Sequence, residues 1–409
     1  MEVPALPGSF QASLKVQDFG IVLRPTLPLP LLRRVADRAA SLSGRSPRRM
    51  APSSVLIVRL SAIGDVIHAL PVLTALRQAL PKARLGWVVE ELSAPLLENH
   101  PYLDRLYVIP KKRWKKNFAR LYFPEIRPFF REIRREGWEA ALDIHGLTKS
   151  GLVARACGAR IRVGYGDEDG REINKWFTNL KVTPSPAAKH VVERNLCLLE
   201  GLGIDPVMDA VGTMGLRAEE KDAMRALLRD AGRDGSAPLL ALNPGAGWAS
   251  KRWAPEKFAA TGAALAESDG LVPLVLWGPG EEAARDVIAA ALAERGVPHV
   301  VAPPTRIREL AVLISLCSLF IGGDTGPTHL AGMLGVPTVS IFGASDGERN
   351  RPWPRESGPM IQRTELPCVP CWKTVCPLEG VDRMACLRFL EVETVVAAAR
   401  ETWRARRSG

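Results

Sequence analysis

Short apolar runs alternate with amphipathic stretches along most of this chain. In its first half, runs that predict buried strands lie at 55–60, 85–89, 105–109 and 140–144, and a helical spacing lies at 65–80. The pattern restarts with predicted strands at 239–243, 272–277, 316–321 and 338–342 and predicted helices at 255–267 and 283–294. Strands that alternate with helices are typical of doubly wound parallel sheets. We therefore expect an α/β fold of two Rossmann-like domains that face a cleft, with ligands beyond the carboxyl ends of the strands.

The break between the two halves falls near 203–237, a stretch rich in Gly, Asp and Arg. The pattern predicts one domain over 54–205 and a second over 236–395. Outside them we expect a poorly ordered, Pro-, Leu- and Arg-rich extension at 1–50 and a C-terminal tail at 396–409.

Composition places the chain among globular proteins. It has 409 residues, of which 46% are hydrophobic and 24% charged, which suits two or three domains with cores of their own. No apolar run approaches the roughly 20 residues needed to span a bilayer, and the N-terminus lacks the pattern of a secretory signal. We expect a cytoplasmic protein.

The net charge of +11 is concentrated in one segment, residues 105–135. Its lysines and arginines are interleaved with tryptophan, tyrosine and phenylalanine, while only Glu125 and Glu132 oppose them there. Such a segment suits an anionic partner, either nucleic acid or a membrane surface with anionic headgroups. The alternative is a solvated loop and helix with no partner.

The segment 322–330 carries the strongest chemical signal, with the sequence Gly-Gly-Asp-Thr-Gly-Pro-Thr-His-Leu. It lies between an apolar run and a stretch of helical spacing. Backbone N–H groups in such a turn, together with the positive end of the following helix, form a site for an anion. A plain strand-to-helix corner is the alternative, but the cluster is unusually polar for one. We predict a phosphate-bearing ligand in the second half.

A second glycine-bearing loop follows the strand predicted at 239–243, and Lys251 lies near its end. Alone, Lys251 would be read as a surface lysine. Together with the turn at 322–328 it predicts a diphosphate clamp. No Asp-x-Asp pair lies where a metal–diphosphate bridge would need it, so we expect no metal to be required for catalysis.

The first half opens with Asp65 at a strand-to-helix turn that faces the predicted cleft. A carboxylate there could accept a proton from a substrate hydroxyl. The alternative is that Asp65 only caps the helix N-terminus.

Four of the seven cysteines are clustered, with the spacing C-x2-C-x4-C-x9-C. Four thiolates could hold a structural zinc ion or an iron–sulfur cluster, and the alternative is reduced thiols that pack a C-terminal turn. The cluster consists of Cys368, Cys371, Cys376 and Cys386.

Several motifs together resemble the ADP-heptose glycosyltransferases that act as lipopolysaccharide heptosyltransferases. The matching stretches are 58–68, 87–91, 143–150, 190–194, 243–246, 251–253, 277–278 and 323–330. The resemblance covers about residues 54–395 and implies a GT-B fold, with an acceptor-binding first domain and an ADP-sugar-binding second domain. It also implies inverting transfer of L-glycero-D-manno-heptose from its ADP derivative to a Kdo sugar on lipid A, or to the first heptose.

The resemblance also implies residue roles. Asp65 would be the general base and Lys251 would bind the diphosphate. The backbone at Thr325, Gly326 and Pro327 would hold phosphate, Asp324 would contact the heptose and Glu281 the ribose. Expected acceptor contacts are Lys149, Arg194, Lys111 and Arg113.

The basic segment would then meet phosphorylated lipid at the cytoplasmic surface of the inner membrane, and no nucleic acid would be bound. Two features point to different acceptors. The stretch 143–150 is similar to enzymes that add the first heptose, whereas 368–378 is similar to those that add the second. Two other classes stay open: a sugar-nucleotide epimerase, and a non-catalytic module that binds nucleotides or nucleic acid through residues 105–135.

Overall fold

The structure, a computed structural model, describes residues 51–116, 122–166, 170–233 and 237–408. The extension predicted at 1–50 lies outside the described residues. The described chain forms two parallel sheets of six strands each. The first contains β1 Ser54–Val58, β2 Arg84–Glu90, β3 Arg105–Ile109, β4 Ala140–Asp143, β5 Ile161–Tyr165 and β6 Leu180–Val182. The second contains β7 Leu239–Asn243, β8 Val272–Val275, β9 Val300–Val301, β10 Leu319–Gly323, β11 Thr338–Phe342 and β12 Met360–Gln362.

Both sheets have the same topology. The order is β3-β2-β1-β4-β5-β6 in the first and β12-β11-β10-β7-β8-β9 in the second, which is the doubly wound order 3-2-1-4-5-6 in each. Ile57 of β1 pairs with Trp87 on one side and Leu142 on the other. The strand order therefore reverses at β1/β4 and at β7/β10, where ligands bind in such sheets. The predicted fold class is confirmed.

Helices connect the strands and flank the sheets. The α-helices of the described chain are α1 Ile63–Ile67, α2 Leu70–Ala79, α3 Lys111–Lys116, α4 Tyr122–Arg135, α5 Thr148–Ala156, α6 Val191–Cys197, α7 Ala218–Asp230, α8 Pro255–Asp269, α9 Glu282–Glu294, α10 Ile307–Ser315, α11 Gly326–Met333, α12 Gly347–Asn350, α13 Ala385–Arg388 and α14 Val392–Ser408. Helix α7 lies inside the stretch 203–237 that the sequence marked as a break. No described helix is long and apolar enough to cross a membrane.

The central strands are apolar throughout because both faces of each parallel sheet are covered. Every residue of β1, β7, β10 and β11 is buried. We call the part of the chain built on the first sheet the first lobe and the part built on the second sheet the second lobe. One apolar cluster contains residues of both lobes, among them Leu70 of α2 and Met333 of α11. The lobes therefore pack against each other directly.

The sequence predicted one helix over 65–80, and this prediction is wrong. Helix α1 ends at Ile67 and α2 begins at Leu70 with Pro71 in its first turn. Proline has no N–H to donate and clashes with the preceding turn, so a helix restarts there rather than continuing.

The boundary predicted between residues 395 and 396 falls within α14. This helix runs on to Ser408, and Val396, Ala399 and Trp403 are buried in the second apolar cluster. Their spacing places them on one helical face, so the segment predicted as a tail packs against the second lobe.

Residues Pro110–Ile126 fall into a compact unit separate from 49–109 and 127–409. Within that unit, the exposed Arg113 guanidinium lies 2.5 Å from the Glu125 carboxylate. The basic segment predicted at 105–135 spans this unit, and its residues 117–121 lie outside the described chain.

Candidate active site

The loops singled out in the sequence follow the strands at the two switch points. The segment with Asp65 follows β1, and the segment with Lys149 follows β4. In the second lobe, the loop with Lys251 follows β7 and the turn with Thr325 follows β10. These positions are where the fold places ligands.

Asp65 sits in the third position of α1. Its Oδ2 accepts a hydrogen bond from the Ala62 N–H at 3.1 Å and pairs with an Arg59 amino group at 2.7 Å. The peptide bond between Ser61 and Ala62 is cis. The side chain remains 45% exposed, so the capping contact occupies one oxygen and leaves carboxylate surface open.

The N-terminal turns of α1 and α11 touch through two glycines. A Cβ at Gly64 would lie 2.8 Å from Cδ2 of His329, and a Cβ at Gly326 would lie 2.8 Å from Cγ2 of Ile63. Only residues without a side chain allow this approach, since carbon atoms normally stay about 3.5–4 Å apart. The Asp65 turn and the predicted phosphate turn are therefore in contact.

Thr325 precedes α11 with an extended backbone, and Pro327 lies in the helix's first turn. The Thr325 hydroxyl lies 3.1 Å from Asn243 Nδ2 and 3.1 Å from the hydroxyl of Thr328, which ties the turn to the end of β7. The first N–H groups of a helix have no partner within the helix and carry partial positive charge. A turn of this kind can bind an anion, and the phosphate contact expected at Thr325, Gly326 and Pro327 stays a prediction.

Asp324 lies beneath this turn and is almost fully buried. Its Oδ2 accepts hydrogen bonds from Lys251 Nζ and the Ser345 hydroxyl, each at 2.5 Å, and its Oδ1 lies 3.2 Å from His329 Nε2. Burial alone would raise the pKa of Asp324. Hydrogen bonding and charge from His329, and then the charge of Lys251, outweigh burial and hold this pKa far below its usual value.

Lys251 ends a short 3-10 turn, Ala249–Lys251. Its ammonium lies 4.3 Å from the centre of the Trp248 ring, which adds a cation–π contact to the Asp324 pair. The hydroxyl of the preceding Ser250 donates to the Lys373 carbonyl oxygen, and the Ser250 N–H donates to the Thr374 carbonyl oxygen at 3.3 Å. The cysteine-rich loop thus fixes the backbone that carries Lys251.

Glu281 lies beside the glycine loop after β7. Its carboxylate accepts the Gly278 N–H at 2.8 Å, and a Cβ at Gly245 would lie 2.1 Å from it. Gly245 thus makes room for the Glu281 carboxylate, which lies between the loops that follow β7 and β8.

The residues expected at the acceptor have different partners in the structure. Lys149 is largely buried, with Nζ 3.2 Å from Glu90 Oε1 and 3.3 Å from the Ser61 hydroxyl. Arg194 donates to the Ala188 carbonyl oxygen at 3.0 Å. Lys111 and Arg113 belong to the separate unit of residues 110–126. The Ser61 contact places Lys149 beside the Asp65 loop.

Asp143 begins the motif stretch 143–150, and the sequence assigned it no role. It is fully buried at the end of β4, where Oδ1 accepts the His145 and Gly146 N–H groups and Oδ2 accepts Ser150 and Asn174. Burial raises the pKa of Asp143 despite the hydrogen bonds from Asn174 and Ser150 that lower it. It organises the loop that carries Lys149.

Sequence reasoning also missed a contact between histidines of the two lobes. The His68 ring centre lies 4.2 Å from that of His329 and 5.4 Å from that of His190. Burial, more than the neighbouring charges, lowers the pKa of His68 strongly and that of His190 to about 3. Local patterns give no signal for this contact because the rings come from three distant segments.

The structure does not support the predicted cysteine metal site. All four clustered thiols are partly buried, and burial followed by the charge of the other three raises the pKa of Cys386. In the described residues, no group of three or more His, Cys, Asp or Glu is arranged to hold a metal ion. The alternative, reduced thiols that pack a C-terminal turn, stays a prediction.

Two lobes, each built on a six-stranded parallel sheet of the doubly wound order, are the architecture of the GT-B glycosyltransferases. The profile of glycosyltransferase family 9 (heptosyltransferase) matches residues 126–382. The chain is 30% identical over 329 residues to lipopolysaccharide heptosyltransferase 1 of Pseudomonas aeruginosa, covering 80% of this chain and 88% of that protein. The chain belongs to glycosyltransferase family 9.

Solved structures agree on the fold. A family 9 glycosyltransferase from Veillonella parvula has a TM-score of 0.70 at 21% identity, covering 86% of this chain and 97% of that one. The E. coli heptosyltransferase WaaC with ADP has a TM-score of 0.66 at 22% identity, covering 85% and 99%. The family match favours a glycosyltransferase over the epimerase that the sequence left open.

Proposed function

We propose that this protein moves heptose from ADP-L-glycero-D-manno-heptose to the Kdo or heptose inner core of lipopolysaccharide, with inversion at the anomeric carbon. The observation that carries the proposal is the contact between the Asp65 turn and the turn after β10. Displacement of a nucleotide in a single step requires a carboxylate that accepts the acceptor proton and, close to it, an anion site that holds the leaving diphosphate. The family match and the activity named for the Pseudomonas relative support the choice of sugar.

In the proposed reaction, the acceptor hydroxyl oxygen attacks the anomeric carbon as the bond from that carbon to the ADP phosphate oxygen breaks. Asp65 takes the hydroxyl proton, and ADP leaves with the bonding electron pair. The basicity that Asp65 needs is modest, because the hydroxyl becomes acidic only as the new bond forms.

The second lobe would hold the donor. The N-terminal turn of α11 at Thr325, Gly326 and Pro327 would bind phosphate through its backbone, and Lys251 would neutralise the charge that develops on the leaving diphosphate. Glu281 would bind the ribose, since its carboxylate lies at the mouth of the same loops.

For Asp324 the geometry supports a role different from the heptose contact that the resemblance implies. Its side chain is 7% exposed and accepts from three groups of the protein. We propose that it orients Lys251 instead. No metal ion is needed in this scheme, because Lys251 and the helix terminus supply the positive charge.

The first lobe would bind the acceptor. Lys149, which forms an ion pair with Glu90 beside the Asp65 loop, would form part of the wall of the acceptor site. Arg194, Lys111 and Arg113 remain candidates for phosphate groups on the acceptor. The basic segment at 105–135 would meet phosphorylated lipid at the cytoplasmic surface of the inner membrane, which explains its charge.

A mass-spectrometric assay tests the proposal directly. The protein is incubated with ADP-heptose and either a Kdo-bearing lipid A or the same acceptor that already carries one heptose. We expect one added heptose on one of the two acceptors, which also decides between first and second transfer.

The variant Asp65→Ala should abolish this transfer and leave ADP binding intact. Asp222→Ala is a matched control, because Asp222 is 72% exposed on α7 and should not affect transfer. Failure of the wild-type protein to consume ADP-heptose with either acceptor would overturn the proposal.

A further inference from the structure

Arg59 follows the last residue of β1 and is buried, with 8% of its surface exposed. One amino group lies 2.7 Å from Asp65 Oδ2, and the other donates to the Ile144 carbonyl oxygen at 2.7 Å. Its own carbonyl oxygen accepts the Trp87 indole N–H at 3.0 Å. The guanidinium therefore links the loops that follow β1 and β4, on the two sides of the switch point.

The contacts of Asp65 fall on one oxygen. Within the described part of the chain, both the Ala62 N–H and the Arg59 amino group bind Oδ2. Two donors on the same atom fix the plane of the carboxylate, and Oδ1 is left for a substrate proton. Because the side chain is 45% exposed, nothing else would hold it in one rotamer against solvent.

A purely structural tether does not account for Arg59. The buried Arg59 Nε has no hydrogen-bond partner among the described residues, and an unpaired buried donor destabilises the fold. An uncharged side chain could link β1 to the Ile144 carbonyl without this cost. What a guanidinium adds is a rigid fork that holds a carboxylate and a carbonyl at the same time.

We propose that Arg59 is a positioning residue for the proposed general base. It holds Asp65 so that Oδ1 faces the acceptor hydroxyl, and it acts through Asp65 without touching either substrate. This inference rests on the proposed function of the site, since it presumes that Asp65 receives the acceptor proton.

The variants Arg59→Gln and Arg59→Lys test this role by steady-state kinetics of heptose transfer. Displacement of a catalytic group by about 1 Å can lower the rate about 100-fold, so kcat of Arg59→Gln should fall by about that factor. KM for ADP-heptose and Kd for ADP should stay within about twofold, because the donor site lies on the other lobe. Lysine keeps the charge and can make one of the two contacts, so kcat of Arg59→Lys should be about tenfold higher than kcat of Arg59→Gln.

Arg77→Gln is the matched control. Arg77 is also largely buried in the first lobe and binds a half-exposed carboxylate, with 2.8 Å between its amino group and Asp104 Oδ2. We expect this variant to keep kcat while it lowers stability.

Three outcomes would overturn the inference while wild-type transfer is intact: kcat of Arg59→Gln within about twofold of wild type, equal changes in kcat and in ADP affinity, or no recovery with lysine. If Arg59→Gln does not fold, a kcat of Arg59→Lys equal to wild type overturns it in the same way. Absence of transfer by the wild-type protein is a different result and counts against the proposed function.

Discussion

The contact between the two lobes makes a quantitative prediction for Gly64→Ala. Gly64 lies in α1, and its Cα approaches the edge of the His329 ring so closely that a methyl group would lie 2.8 Å from Cδ2. The ring cannot move aside easily, because its centre lies 4.2 Å from that of the tilted His68 ring and its Nε2 lies 3.2 Å from the Asp324 carboxylate. The added methyl group must therefore separate the helices or break the Asp324 contact.

Two opposing effects decide whether Gly64→Ala stabilises or destabilises the protein. Alanine is better than glycine inside a helix by about 1 kcal/mol. Overpacking of a filled interior costs about 1–3 kcal/mol, and here the contact is about 0.7–1.2 Å shorter than a normal contact between carbon atoms. We expect the clash to win, with a net loss of about 1 kcal/mol in the free energy of unfolding and a lower transfer rate.

A double-mutant cycle with His329→Ala isolates the clash. His329→Ala alone should destabilise the protein by removing a buried hydrogen bond, but it also makes room for the methyl group at position 64. Urea unfolding of both single variants and the double variant should give a favourable coupling energy of at least about 0.5 kcal/mol. Additive losses, or a Gly64→Ala variant more stable than wild type, would refute the packing argument.

Three further predictions concern charge. Lys251→Met should lower kcat/KM for ADP-heptose about tenfold or more, the loss expected for one charge-assisted hydrogen bond of about 1.5–3 kcal/mol, as measured by initial rates over a range of donor concentrations. Chelation by EDTA should leave the transfer rate unchanged, and a rate that falls and returns with added Mg²⁺ would contradict the proposed role of Lys251. Because burial lowers the pKa of His190 to about 3, its ring resonances should not shift between pH 8 and pH 5. Below about pH 6.5 the imidazole of His190 binds a proton in the unfolded chain but not in the native protein. The free energy of unfolding should therefore fall by up to about 1.4 kcal/mol for each unit by which the pH is lowered. The variant His190→Gln should lack this part of the pH dependence.

The parts of the fold that the sequence predicted are those with long apolar runs. The strands at Arg105–Ile109, Leu239–Asn243 and Thr338–Phe342 agree with the predicted bounds. Strands β6, β9 and β12 span three, two and three residues, which is too short for a period to be recognised. These three strands form because the edge of the existing sheet offers them hydrogen-bond partners, and their own residues give no recognisable strand pattern.

The break between α1 and α2 has a local signal in the sequence, since Pro71 marks a helix start. The loops of the site were predictable because glycines and polar residues follow apolar runs at fixed places in this fold. Arg59, Ser345 and the ring of His329 were not. Each acts through a partner that comes close only when distant segments pack, and no spacing in the chain records that contact.

The two carboxylates of the site differ in ways that assign their roles. Asp65 is 45% exposed and has one oxygen occupied, so it can meet a hydroxyl and receive its proton. Asp324 is 7% exposed, its three donors occupy both oxygens, and its pKa is far below the usual value. A carboxylate with so low a pKa is a poor proton acceptor and stays ionised, which suits it to hold Lys251. Because one histidine ring lies between Asp324 and the Asp65 turn, direct packing of the lobes would set the distance between the proposed base and the proposed leaving-group site. In the proposed reaction, the opposite environments of these two nearby aspartates would separate deprotonation of the acceptor from binding of the donor.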